Sequence, residues 1–335
     1  MFLVCGEALF DFFLESEAGP AASTYAARAG GSPFNVAIGL ARLGQASGLL
    51  TGLSTDLLGQ RLSRVLADEG VSTAYAIPTD RPTTLSLVGL DTAGVPAYQF
   101  YDNGSADTGV VEDDLPAIGA DVAGLHFGSY SLAAVPVADA MAALARANRH
   151  RFISVDPNVR PTVEPDMDVW RERMRVLFPL ADLVKISAED LELLRPGTAP
   201  ESLAADLVGS GVKLVVVTDG SDAAMGWTAS GLHASAVPAT MNVTSANRCC
   251  MAYSSGPMDA HPSCKTRTAS PPRIESVACE LRAMAPRSYL PDQFASGSDL
   301  AARRRHDARR RRRRAGPQAM HAAAPVRAAV SAREA

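Results

Sequence analysis

No stretch of this 335-residue sequence carries the ~20 consecutive apolar residues that a membrane-crossing helix needs. The N-terminus, MFLVCGEALFDFFL, is apolar but has no basic leader, and Glu7 and Asp11 interrupt it. A strand is expected there, not a signal peptide. Cysteine is scarce: five in all, and only Cys5 before residue 240, inside an apolar run. That excludes a disulfide framework for this part and, with no leader or span, points to a soluble cytoplasmic protein.

Charge is present but unevenly spread. After Thr240 there are 17 Lys and Arg against 7 Asp and Glu, leaving 15 against 29 before it. Four of the five cysteines, Cys249, Cys250, Cys264 and Cys279, also follow residue 240. So abrupt a change marks a boundary. Beyond it, within residues 241–335, the stretch 241–300 mixes Ser, Pro, Cys, Met and Arg without sustained helical or strand spacing, and Arg303–Arg305, Arg309–Arg314 and an Ala/Pro/Arg-rich end follow. That composition cannot bury enough apolar surface to offset chain entropy, so a basic, low-complexity, disordered tail is expected.

Before the boundary, short buried-strand runs alternate with helical periods. The strand runs are Ala123–Phe127, Arg151–Val155, Ala181–Ile186 and Lys213–Thr218; Val137–Arg149 and Met167–Phe178 lie between them as helices. Asn35–Gly44 places Val36, Ile38, Leu40 and Leu43 near one helical face and ends on a capping glycine; Leu57–Gly70 repeats the design. Strand and helix in alternation predict an α/β fold, a parallel sheet with helices on both faces. Ligands bind such sheets beyond the carboxyl ends of the strands. Thr83–Asp91 and Ala97–Asn103 instead alternate side chains around a turn at Gly94, a β-hairpin. With Leu9–Leu14 and Thr24–Arg28 they predict a small separate sheet, the kind of element that closes over a site.

Gly30-Gly31-Ser32-Pro33-Phe34-Asn35 is a glycine turn feeding straight into a helix. Glycine permits close backbone approach there, and Asn35 offers donor and acceptor to a hydroxylated ligand. From this turn onward the sequence resembles the ribokinase (PfkB) family of sugar kinases, and its fructokinase branch most. GGSPFNVAIGLARLG is similar to the family's first signature and TGLSTDLLG (Thr51–Gly59) to the element after it. GEALFD (Gly6–Asp11), LHFGS (Leu125–Ser129), DPNVR (Asp156–Arg160) and VKISAED (Val184–Asp190) follow the family's order and spacing. The resemblance implies a ribokinase-like fold over residues 1–240, with lid strands within 8–30 and 83–103.

It also implies ATP and Mg2+ as cofactors and phosphorylation of a sugar hydroxyl. The alternatives it leaves are a 2-keto-3-deoxygluconate or nucleoside kinase and a catalytically dead sugar-binding protein. Asp11, Gly31 and Asn35 would hold the sugar, with Phe100 covering it, and Asn158 and Arg160 would lie near the transferred phosphate. Ser187 and Asp190 fall where the family organises magnesium through water, and Thr218 and Gly220 where the nucleotide approaches. Ser187, Asp190, Asp219 and Ala223 depart from the family's usual residues, although Asp190 keeps a carboxylate where one is expected. A homodimer is compatible with the likeness. Nucleic-acid binding is not expected, because the arginine run has no interleaved aromatics.

One part is missing. The family's second signature, D-T-x-G-A-G-D, supplies a helix N-terminus that steadies the migrating phosphate and an aspartate that takes the sugar's proton. It should fall near residues 243–255, yet Met241–Cys250 carries nothing like it, and Ser296–Asp299 is the nearest imitation. Residues from about 241 read as an out-of-frame translation of a GC-rich gene, leaving no catalytic base. The competing reading is a genuine basic extension.

Overall fold

A computed structural model describes residues 1–90, 96–220 and 224–235. The Gly94 turn and everything after residue 235, including the boundary and tail read from the sequence, lie outside the described residues.

The N-terminal run divides at once. Phe2–Cys5 forms β1, Gly6 turns the chain, and Leu9–Glu17 forms β2 in a different sheet. GEALFD is therefore a junction and not one strand. Ser23–Gly30 is β3, which returns antiparallel to β2, and Ser32–Arg42 is α1. Next come β4 (Ser47–Leu50), β5 (Gly52–Ser54), α2 (Leu57–Asp68), β6 (Ile77–Thr79), β7 (Thr84–Leu90) and β8 (Pro96–Tyr101). The second part supplies β9 (Gly124–Gly128), α3 (Val137–Ala147), β10 (Phe152–Asp156), α4 (Met167–Leu177) and β11 (Leu183–Ser187). It continues with α5 (Ala188–Leu194), α6 (Pro200–Gly209), β12 (Leu214–Thr218), β13 (Ala224–Thr228) and β14 (Gly231–Ser235).

Among the described residues the main sheet runs β14-β13-β12-β11-β10-β9-β1-β4. Neighbours from β12 to β4 are parallel; β13 and β14 add an antiparallel edge that the sequence pattern did not announce. Leu3, Cys5, Leu125, Phe127, Ile153, Val155, Val184, Ile186, Val215 and Val217 point to one face and are buried. Met141 and Leu144 of α3, Trp170 and Met174 of α4, Leu191 of α5, and Leu203 and Leu207 of α6 join the same core. A second core on the opposite face joins Val4 and Leu49 to Phe34, Ala37 and Ile38 of α1 and Leu62 and Leu66 of α2. The two cores establish helices on both faces of a mostly parallel sheet.

Both anticipated N-terminal helices exist; of the face read for the first, Ile38 is buried and Val36 and Leu40 pack against the second core, while Leu43 does not. Pro33 in the first turn starts α1 at Ser32, so the buried stripe is Pro33, Phe34, Ala37 and Ile38, while Leu43 is 70% exposed beyond the helix end. In α2 the cap is Asp56, whose Oδ1 accepts the Gly59 N–H at 2.7 Å, and Leu57 lies outside the packed face.

The anticipated lid is a four-stranded sheet ordered β3-β2-β7-β8. β2 and β7 are parallel, and the outer pairs antiparallel. A two-stranded parallel pair, β5 with β6, links α2 to the lid. No helix among the described residues is long and apolar enough to cross a membrane.

Candidate active site

Parallel strands buried on both faces usually read as continuous apolar runs. β9, β10 and β11 depart from this: His126, Ser154, Asp156 and Lys185 project from the sheet face opposite the larger core. They floor a cavity of about 600 Å³, roofed by lid residues Asp11, Tyr98 and Phe100 and walled by the start of α1.

Of the residues singled out from the sequence, the cavity brings together Asp11, Gly31, Asn35, Phe100, Asn158, Arg160 and Thr218. Gly31 enters α1 at φ 106°, a left-handed conformation, and a Cβ there would sit 2.8 Å from the Glu7 carbonyl oxygen. Only glycine fits without strain. Its own carbonyl accepts the Asn35 N–H at 3.0 Å, which places Asn35 one turn inside the helix. Asp11 lies on β2 opposite Ser86. Burial raises its carboxyl above the usual range, against the neighbouring Ser86 hydroxyl and the positive charge of Arg160. Phe100 stands edge-on to Tyr130, with ring centroids 5.9 Å apart.

Behind β10, Asn158 adopts φ 42° and its Oδ1 is buried with no hydrogen-bond partner among the described residues. Arg160 Nη1 donates to the carbonyl oxygens of Asn158 and Val159 at 3.3 and 2.9 Å, which holds the guanidinium at the cavity wall. Lys185 Nζ meets Asp156 Oδ2 at 3.0 Å, both side chains largely buried. Burial pushes the Asp156 carboxyl up, opposed first by Lys185 and then by Arg160. His126, half-buried beside Lys185, is lowered to about 4 by desolvation and then by the Lys185 charge, and is neutral at physiological pH; Nδ1 pairs with Ser154 Oγ at 3.0 Å.

Ser187, Asp190 and Gly220 do not line the cavity. Ser187 caps α5, its Oγ accepting the Asp190 N–H at 3.0 Å. Asp190 is buried and ties the two loops together, its Oδ1 accepting the Val159 N–H at 3.0 Å, while Oδ2 has no hydrogen-bond partner among the described residues. Burial and the neighbouring Asp156 raise its carboxyl. Gly220 turns the chain just after β12 at φ 49°.

Glu7, His126, Asp156 and Lys185 received no role from the sequence. The signal was available in LHFG, SVD and LVKIS, each of which puts a polar residue where a doubly covered strand should be apolar. Glu7 sits in the Gly6–Asp11 junction, and its Oε1 accepts the Ser32 N–H at 2.9 Å.

Residues 1–246 match the pfkB family carbohydrate kinase. Fructokinase of Rhizobium leguminosarum bv. trifolii is 38% identical over 229 residues, 68% of this chain and 70% of that one. Fructokinase of Escherichia coli is 34% identical over 194 residues, 57% of this chain and 61% of that one. Among solved structures, fructokinase with bound ATP from Xylella fastidiosa superposes with a TM-score of 0.64 at 27% identity, covering 70% of this chain and 73% of that one. A double mutant of Vibrio cholerae O395 fructokinase in a fructose, ADP and potassium ion bound form gives 0.62 at 26% identity, covering 71% and 76%. The chain thus spans 70% and 61% of the length of the two curated fructokinases. With a parallel sheet, a β-lid and a glycine-turn helix closing one cavity, and the family match running through residue 246, the chain belongs to the pfkB family of carbohydrate kinases.

Proposed function

We propose that the cavity binds a sugar, fructose in the first instance, together with ATP, and that this polypeptide does not carry the phosphoryl transfer through. The observation that carries the reading is the convergence of Asp11, Asn35, Asn158 and Arg160 on one cavity in a chain whose sequence has no G-A-G-D after residue 240. A carboxylate and two amides suit vicinal hydroxyls, which need acceptors and donors in fixed positions. The forked donors of Arg160 suit phosphate oxygens. Thr218 and Gly220, at the end of β12, are the candidates for the nucleotide side. Asp190 fits a magnesium ion through water because its Oδ2 is buried and unpartnered. A bound ion would neutralise phosphate charge.

Two parts of the chemistry have no candidate. Losing a general base costs about 10²–10⁴-fold. Losing anion-stabilising donors costs about 10²–10³-fold each. Against the roughly 1–100 s⁻¹ of working kinases, turnover below about 10⁻² s⁻¹ is expected. The test pairs calorimetric titration with fructose and with ATP against a coupled ADP-release assay. Fructose binding without turnover supports the reading. Ordinary kinase rates refute the loss of chemistry. A preference for 2-keto-3-deoxygluconate or a nucleoside reassigns the sugar.

A further inference from the structure

We infer that Glu7 is itself a ligand-binding residue of this cavity, presenting a carboxyl O–H at Oε2 to an acceptor oxygen of the bound sugar, which rests on the sugar-binding reading above. Glu7 lines the cavity beside Gly31 and is 1% exposed. Oε1 is occupied by the Ser32 N–H, but Oε2 is buried with no hydrogen-bond partner among the described residues. The neighbouring carboxylate is not in the same position: Asp107 accepts from the hydroxyls of Thr84, Ser105 and Tyr130. Buried polar atoms are paired in the great majority of cases, and a bare carboxyl oxygen at the wall of a polar cavity is one that a ligand completes.

The surroundings also set what Oε2 can offer. Burial, aided by the nearby Asp107 charge, lifts the Glu7 carboxyl to about 8, although backbone hydrogen bonds and the Ser129 hydroxyl pull the other way. Asp107 from the segment after β8 is the titratable group whose charge acts on it; Tyr130, from the turn after β9, is itself raised by burial and by both carboxyls, and its hydroxyl already donates to Asp107 at 2.5 Å. Asp11, Asp156, Arg160, Lys185 and Glu189 line the same cavity. At neutral pH Glu7 is therefore a donor, whereas an ionised Asp11 only accepts. The pair divides the labour a sugar demands: one group takes a hydroxyl proton, and the other gives a proton to a hydroxyl or ring oxygen.

The test is calorimetric titration of the full chain with fructose at pH 7 and pH 9, with the Tm of the ligand-free protein recorded at each pH. A group titrating near 8 is about nine-tenths neutral at pH 7 and about one-tenth at pH 9, so the wild-type Kd should rise about tenfold. Glu7→Gln keeps a donor that does not titrate. It should bind at pH 7 within about threefold of wild type and show no rise at pH 9. Glu7→Ala should weaken binding about tenfold at pH 7. A pH profile in Glu7→Gln equal to the wild-type one, or Kd changes that merely follow Tm, would overturn the role. Absence of fructose binding by the wild-type chain overturns the sugar-binding reading, and this inference with it. A flat wild-type profile alongside tight binding overturns this inference alone.

Discussion

Replacing Lys185 with methionine keeps most of the side-chain stem and removes the ammonium paired with Asp156. The pair is 3.0 Å apart and its side chains are only 15% and 10% exposed, so solvent does little to replace the lost partner. Removing one member of such a pair costs about 3–5 kcal/mol, because the survivor is left charged in a poor solvent. For a region of this size that is a fall in Tm of roughly 6–20 °C. Asp156 has an escape, which is to take up a proton. Its carboxyl is already raised by burial, and Lys185 is the leading influence holding it down, so Lys185→Met raises it further. A carboxyl raised in the folded state favours folding below its unfolded value, and that advantage disappears as pH climbs through the folded value. Lys185→Met should therefore be nearer to wild type at pH 5 than at pH 8. The double variant Lys185→Met, Asp156→Asn removes both charges and should recover about 2–4 kcal/mol of the loss. Urea titration followed by tryptophan emission reads this directly, because the protein's two tryptophans are Trp170, in the larger core, and Trp227, on β13. A cost below about 1 kcal/mol at pH 8, or equal costs at pH 5 and pH 8, would refute the ion-pair account.

Two further outcomes follow from the local geometry. Gly31→Ala forces a side chain into a left-handed position and against the Glu7 carbonyl, so a loss of about 2 kcal/mol or more is expected, with weakened fructose binding in the same preparation. Asp56→Ala removes the α2 cap and the two bonds its carboxylate accepts from Thr83 at the entry to β7, which should cost about 1–2 kcal/mol in thermal melts. Burial alone would raise the Asp56 carboxyl, but the N–H groups of Gly59 and Thr83 and the Thr83 hydroxyl outweigh it and hold the group low. Its contribution is thus present above the ordinary carboxylate range and lost as pH falls through the lowered value. The gap in Tm between variant and wild type should narrow below about pH 4.

Strand existence was legible because Val, Ile and Leu cluster in runs such as LVVV and FISV between helical periods, and the lid because its strands alternate instead. Helix faces were less so. In NVAIGLARLG the apolar residues are dense enough to suggest several stripes, and only the proline at the helix start decides that Phe34 and Ala37 turn inward while Leu43 does not. The residues proposed to hold the sugar could be singled out from their motifs, since a glycine turn and an asparagine one helical turn later leave a mark in sequence. Asp190 and Ser187 were harder to judge, because a capping serine and a loop-bridging carboxylate use the same residue types as a metal shell. Glu7 was hidden for a different reason. Its character depends on burial and then on Asp107, which is a hundred positions away along the chain and close only in the fold.

The order of the main sheet bears on how this part of a kinase could stand whatever follows it. From β9 onward each strand is laid against its predecessor, like courses of a wall raised in one direction. Among the described residues no later strand is threaded back between them, and only β1 and β4 stand out of sequence, both of them early. A ribosome that went astray after residue 240 would already have delivered every brick of this wall. The error would fall on what is added afterwards, and the pairing already completed would need no correction.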